Sequence, residues 1–404
     1  MNSINDHPVH NLNTGMGYAS IREAINANQT SAGHTIYVKP GIYFETIELN
    51  KVNLALIGEN YQTTIIDGQS NGKDVVTLKA NGTTIEGFTV RNGYYGVTMS
   101  PWTHGHIIAK NVIMNNYYGV SGHYDCKNIT ISGNTIVANS IAGIKMSFSH
   151  SFIHDNVISA NGKDEFQEYG SGIQITKGVF HDEITYCISN VVSANVIENQ
   201  KMGISAPQYS EQNRFFHNNF VNNSKQLSIQ GVKWNNTLEN NYWSDFDGID
   251  GNRNGIGDSS YIINDEAQDE HPLMGMFSRY IALPANYIGV VSNSTVEWFQ
   301  YSEINNTIKL HVSNSSQSQI YGFCRMSIPH MVISEPYNVT INGAIPIYWN
   351  YTLHDNGTHR WIYFSYRHSE LEIVIIPEFK ITQIALFFLI FSIQIALVFQ
   401  KSKN

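Results

Sequence analysis

The stretch from Gly82 to Asn161 decides the fold. It opens with Gly82-Thr-Thr-Ile-Glu-Gly-Phe-Thr-Val-Arg-Asn-Gly-Tyr-Tyr-Gly-Val97 and continues with His106-Ile-Ile-Ala-Lys-Asn-Val-Ile-Met-Asn-Asn-Tyr-Tyr-Gly-Val120. Asn128-Ile-Thr-Ile-Ser-Gly-Asn-Thr-Ile-Val-Ala-Asn-Ser-Ile-Ala-Gly-Ile144 and Ser151-Phe-Ile-His-Asp-Asn-Val-Ile-Ser-Ala-Asn-Gly162 follow. Asn111, Asn134 and Asn156 recur at spacings of 23 and 22, and Gly96, Gly119 and Gly143 at 23 and 24. The pattern returns at Asn195, Asn219 and Asn241. Each row holds short alternating runs such as Ile-Thr-Ile, the signature of brief strands, with Gly and Asn at the turns between them. No row has room for a helix. A row of this length with three short strands predicts one coil of a right-handed parallel β-helix, in which each coil pairs only with its neighbours. The recurrent Asn predicts an amide ladder at one corner; as an alternative, these Asn are only turn residues.

Working outward, the chain has 404 residues, 42% hydrophobic and 14% charged, with a net charge of −9. That length allows a large core and two domains with appendages. No cluster of Lys or Arg exists to hold nucleic acid, which is excluded as a partner. Cys126, Cys187 and Cys324 fit no zinc spacing and read as buried free thiols. From Ile381 to Phe399 the chain carries no charge, and Lys401 and Lys403 follow. Nineteen residues of helix span roughly 28 Å, close to a bilayer core, so the run predicts a transmembrane helix with residues 400–404 cytoplasmic. Eleven Asn-x-Ser/Thr sequons are present, six of them between Asn293 and Asn356, as suits a glycosylated extracellular surface. The polar start, Met1 to Asn13, shows no signal peptide, and a truncated or mis-assigned start is the expected reason.

In chain order, residues 1–17 read as a tail. Tyr18 to Asn28 reads as a helix opened by the capping box Ser20-Ile-Arg-Glu23 and placed to cover the first coil. The β-helix is expected over 18–248. Its opening, Val38-x-Pro40-Gly41-x-Tyr43, Leu56-Ile-Gly58 and Thr64-Ile-Ile-Asp-Gly68, resembles that of pectin-lyase-like right-handed β-helix proteins. Its close, Asn240-Asn-Tyr-Trp-Ser-Asp-Phe-Asp-Gly248 with Pro272-Leu-Met274, resembles the NosD-like surface proteins of archaea, relatives of a periplasmic protein of copper-site maturation. The resemblance covers roughly residues 15–275 and implies a carbohydrate-binding or sugar-hydrolase-like β-helix placed outside the cytoplasm. Copper delivery is not carried over with it, because a shared fold does not fix function.

Between 249 and 278, Asp250-Gly-Asn-Arg-Asn-Gly-Ile-Gly-Asp258 has the spacing of a calcium loop. Asp250, Asn252, Asn254, the Ile256 carbonyl and Asp258 would be the ligands of a structural Ca²⁺, the one cofactor expected. Tyr261 stands where a bidentate Glu is needed, so the competing reading is an Asn/Gly-rich turn without an ion. Residues 279–377 carry strand-like runs with polar turns and read as a β-sandwich stalk of some seven strands.

Counted from the repeat Gly, Trp102, His104, His123, Tyr124, Asp125, Phe148, His150, His181 and Tyr209 fall at similar offsets. Equal offsets in a solenoid stack on one side, so these predict a ligand-binding column of rings, His and Asp. Tyr94 and Tyr95 with Tyr117 and Tyr118 predict a second one. Such columns suit extended glycans, whose CH faces pack on rings while hydroxyls need hydrogen bonds. Asp155, Asp164, Glu165, Glu168 and Asp182 are the acids dense enough to attempt glycoside hydrolysis. The leading expectation is a membrane-anchored cell-surface protein that binds a glycan or cell-envelope polysaccharide without cleaving it. A polysaccharide hydrolase, lyase or epimerase is the runner-up, and extracytoplasmic copper handling comes third.

Overall fold

The computed structural model describes residues 7–162, 170–180, 183–206, 210–229, 234–333, 336–367 and 371–377. Each coil of the first unit gives one strand to each of three parallel sheets. Thr84–Glu86 lies in sheet A, Thr89–Arg91 in sheet B and Tyr95–Met99 in sheet C. The next coil repeats the order with Ile107–Ala109, Val112–Met114 and Tyr118–Ser121. About eight such turns form a parallel β-solenoid of the right-handed type. The core follows from the register. Val97, Val120, Ile144, Ile173, Ile204 and Leu227 stack in one file and are buried.

Corners are built from a two-residue device. A residue with positive φ, such as Lys110 (51°), Asp155 (57°) or His217 (56°), turns the chain. The buried residue after it then bonds to the next coil. Asn111, Asn134, Asn156, Asn195, Asn218 and Asn241 form one such ladder, with amide-to-amide distances of 2.9–3.2 Å. Each Oδ1 also accepts a backbone N–H of the preceding coil, so these buried amides are satisfied. The ladder member is Asn218 and not Asn219, which lies in the strand Asn219–Val221 and exchanges hydrogen bonds with the backbone of Phe277. Two further corners carry ladders that the repeat did not announce. One runs Asn116, Asn139, Asn161, Gln200 and Asn223. The other runs Thr83 to His106, and then from Ser151 through Asn190 and Asn213 to Asn236.

The repeat Gly is explained by this packing. A Cβ on Gly119 would sit 2.5 Å from the Gly143 carbonyl oxygen and 2.9 Å from the Asn139 amide. Gly96, Gly143, Gly172 and Gly203 are equally confined, each against the next coil.

Both ends of the solenoid are closed. The helix is shorter than expected, Ile21–Asn26; Ser20 Oγ accepts the Glu23 N–H, and Ile21, Ala24 and Ile25 enter the core. The expectation of a tail over 1–17 is corrected. Val9–Asn11 and Met16–Tyr18 form a hairpin that pairs antiparallel with Thr35–Val38, covering the edge of sheet A. At the far end a second hairpin, Tyr261–Asn264 with Ala267–Asp269, buries Asp269 completely. Its carboxylate accepts the Asn240, Asn241 and His271 backbone N–H groups, the Asn241 amide and the Trp243 indole.

The second unit has two antiparallel sheets around one core. Met276–Leu283, Asn286–Ser292, Tyr321–Pro329, His359–Arg367 and Tyr348–Asp355 make one sheet. Thr295–Ser302, Thr307–Ser313, Leu371–Pro377 and Tyr337–Ile341 make the other. Ile288, Leu310, Met326, Val339 and Phe364 lie between them. Among the described residues no helix is long and apolar enough to cross a membrane; the Ile381–Phe399 run lies outside those residues.

Candidate ligand-binding face

The outer side of sheet C carries one polar file. Thr77, Thr98, Ser121, Lys145, Gln174, Ser205 and Ser228 succeed one another in register. They alternate with core residues such as Val97 and Met99; Thr98, Ser121, Ser205 and Ser228 are themselves buried, and Thr77, Lys145 and Gln174 are the partly exposed members of the file. Beside this file stand the tyrosines. Tyr94 and Tyr117 stack at 5.4 Å and 23°, and Tyr95 and Tyr118 lie 5.3 Å apart. Tyr117 and Tyr94 are 50% and 37% exposed, open enough to receive a ligand. At its low-numbered end the face continues into an open cleft of about 530 Å³ lined by Arg22, Glu48, Lys73, Asp74 and Thr77.

Ionisable groups on this face are perturbed by desolvation. Burial pushes the Tyr95 hydroxyl above its ordinary range, with Tyr94, Tyr118 and Asp74 adding to it. Burial also raises Asp74 and Tyr118, and it lowers Lys145. His123 is held toward its neutral form by burial and then by the Lys145 charge. Its ring meets that of Tyr95 edge-on at 5.7 Å, and the Lys145 ammonium lies 5.3 Å from the centre of the Tyr118 ring. Perturbed groups gathered on one face are the usual mark of a site.

The predicted column is only partly brought together. His123 turns onto the tyrosine face. Trp102 and Tyr124 meet edge-on at 5.8 Å on adjacent coils, and the Tyr124 hydroxyl donates to Glu183 of the hairpin formed by Gly178–Phe180 and Glu183–Thr185. Phe148 is a correction: it packs in the core, 1% exposed, because the loop after the strand Ala142–Met146 turns it inward under Gly122. His104 is exposed, and its backbone is bridged to Lys127. His150 occupies a positive-φ corner, and Asp125 does likewise while pairing with Lys127 at 3.5 Å. His181 and Tyr209 lie outside the described residues.

Among the candidate acids, Asp155 stands at a corner between sheets A and B, where it binds His154 Nδ1 at 2.8 Å. Asp164, Glu165, Glu168 and Asp182 lie outside the described residues. Lys145 is what the sequence reading missed; its neighbours in sequence are apolar, and only the register with Ser121 and Gln174 places it on the face.

In the calcium-type loop, Asp258 accepts the Gly251 N–H at 2.7 Å and donates its own N–H to the Ile249 carbonyl at 2.8 Å. Ile256 bridges Leu273, and the Asn254 carbonyl accepts Arg325 Nη1 at 2.7 Å. By packing, Asp250, Ile256 and Asp258 belong to the first unit, and Asn252 and Asn254 to the second.

A solenoid with laddered corners and a ring-lined polar face defines a parallel β-helix protein. The profile of a family described as periplasmic copper-binding protein (NosD) matches residues 26–248, more than half of the chain, which belongs to that family. The chain is similar to a cell surface glycoprotein of Methanothermus fervidus, 27% identical over 58% of this chain and 52% of that protein. It is also similar to a probable ABC transporter binding protein NosD of Stutzerimonas stutzeri, 31% identical over 34% of this chain and 32% of that one. The chain thus spans about half the length of the first relative and a third of the second. Among solved structures, an alginate lyase from Paenibacillus is similar with a TM-score of 0.38 at 11% identity, covering 55% of this chain and 72% of that one.

The described residues do not fit a copper site. No three His, Cys, Asp or Glu among them are placed to hold a metal ion. Cys126, Cys187 and Cys324 are buried, and burial raises each thiol, which opposes the thiolate that a metal needs.

Proposed function

We propose that the chain is a cell-surface protein, anchored by a transmembrane helix at Ile381–Phe399, that binds an extended glycan along the outer face of sheet C and does not cleave it. The observation that carries this reading is the stacked tyrosine set at coil spacing beside the partly exposed Thr77, Lys145 and Gln174. Sugar CH faces pack on such rings, and their hydroxyls find partners in these three side chains. The relative named as a cell surface glycoprotein and the dense sequons support the surface placement. The uncharged Ile381–Phe399 run with its basic flank supports the anchor.

A glycan array with the full chain in detergent, run beside a reducing-end assay, tests the reading. Saturable binding is expected, weakened about tenfold by the joint Tyr94→Ala and Tyr117→Ala change, the order seen for lost aromatic stacking. Absence of binding to any glycan would overturn it. Appearance of reducing ends would favour the second reading, an enzyme on the same face, which the desolvated Lys145 and His123 support.

A further inference from the structure

Resting on the glycan reading, we infer that the ligand is an acidic polysaccharide and that Lys145 takes its acid group. Four cations on this solenoid are paired with a carboxylate from coil to coil. Lys79 meets Glu48 at 2.7 Å, Arg91 meets Asp67 at 2.7 Å, Lys110 meets Glu86 at 2.8 Å and Arg214 meets Glu239 at 2.6 Å. Lys145 differs from these four. Its neighbours in register are Ser121 on one side and Gln174 on the other, both neutral. Among the described residues no carboxylate pairs with it, although it is half-buried in a strand whose other side chains face the core.

The groups around Lys145 are Tyr118, whose ring it overlies, His123, whose protonation it opposes, and Tyr95, whose ring His123 meets. None of these balances an ammonium at neutral pH. Asp74 stands beside Tyr95, on the coil whose strand Val76–Leu78 is three strands from that of Lys145. Glu183 is held by the Tyr124 hydroxyl. An uncompensated, partly desolvated cation is an unfavourable element unless a ligand anion completes it. A carboxylate or sulfate on a sugar seated against Tyr118 would do so, with charge-assisted hydrogen bonds stronger than neutral ones. Gln174, partly exposed, supplies a neutral partner for a flanking hydroxyl.

The test measures binding of the full chain in detergent to a polyuronate, to the same polymer after carboxyl reduction, and to a sulfated glucan. The expected result is tighter binding of an acidic polymer than of the reduced one, weakening as salt rises. Lys145→Gln should lower acidic-polymer affinity at least about tenfold and reduced-polymer affinity by clearly less, so that the preference for the acidic polymer is lost, while Lys145→Arg retains the preference. A Lys145-dependent preference for the polyuronate identifies a carboxylate, and one confined to the sulfated glucan identifies a sulfate. Equal binding of acidic and reduced polymers, or a preference that survives Lys145→Gln in a normally melting variant, would overturn the inference and leave glycan binding standing. If no polymer binds at all, the underlying reading fails as well.

Discussion

His106 shows how one substituted rung can tune a solenoid. It is fully buried at a corner where later coils carry Asn190 and Asn213, and its Nδ1 meets Thr83 Oγ1 at 2.8 Å. Its Nε2 has no hydrogen-bond partner. Burial, with the charge of His104 adding to it, pushes its pKa down to about 4. The unfolded chain, with an ordinary imidazole near 6.5, therefore binds more protons over this interval. Stability is full above about pH 6.5, falls as the pH drops toward 4 and loses no more below that from this residue. The loss is about 3 kcal/mol. His106→Asn should remove that part of the acid sensitivity, read as urea midpoints at pH 7 and pH 4.5. An unchanged pH dependence would show that His106 does not set it.

At the scale of the element, the repeat Gly and the corner Asn are demanded by different forces. The Gly file is steric: a Cβ at Gly119 meets the backbone of the next coil, which cannot yield without parting sheet C. Gly119→Ala should therefore destabilise by about 2–3 kcal/mol. Gly72 has open space and a φ of +73°, so Gly72→Ala should cost about 1 kcal/mol, from backbone strain alone. Thermal melts of the two variants compare the effects directly. The Gly and Asn periods were legible in the sequence because every coil repeats the same steric and hydrogen-bonding problem. Asn219 was misread because Asn218 precedes it, and a one-residue slip moves a side chain to the other face. Phe148 was misread for a related reason. Equal offsets from the Gly predict equal aim only while the loops keep equal length, and the loops after sheet C do not.

For the whole molecule, period was the readable quantity and lateral placement was not. The solenoid and its three-strand coil followed from spacing, as did the strand-rich character of the second unit. Its two-sheet sandwich followed as well; which strands join which sheet was not legible, since Thr295–Ser302 and Tyr348–Asp355 show no clean apolar alternation. Nor was the face around Lys145, which exists only once coils are set in register. Surface modification gives a test at this scale. Asn305, Asn314 and Asn356 are exposed, whereas the Asn293 side chain accepts the Phe323 N–H at 3.0 Å and donates to the Tyr321 carbonyl at 3.2 Å. Site-resolved glycopeptide mass spectrometry of the protein from its native cells should find glycan on the first three and none on Asn293.

The buried carboxylate of Asp269 has a consequence for how long the molecule is. Every rung from Asn111 to Asn241 donates toward the next coil and accepts from the one before, so the amide file has a direction. An ionised carboxylate accepts and cannot donate. Asp269 takes the last donor and offers nothing onward, so a further coil, or the end of a second molecule, would meet a negative charge where its own rung needs a proton. One acidic side chain thus acts as a stop codon written in hydrogen bonds, limiting the count of coils and opposing end-to-end growth into fibres.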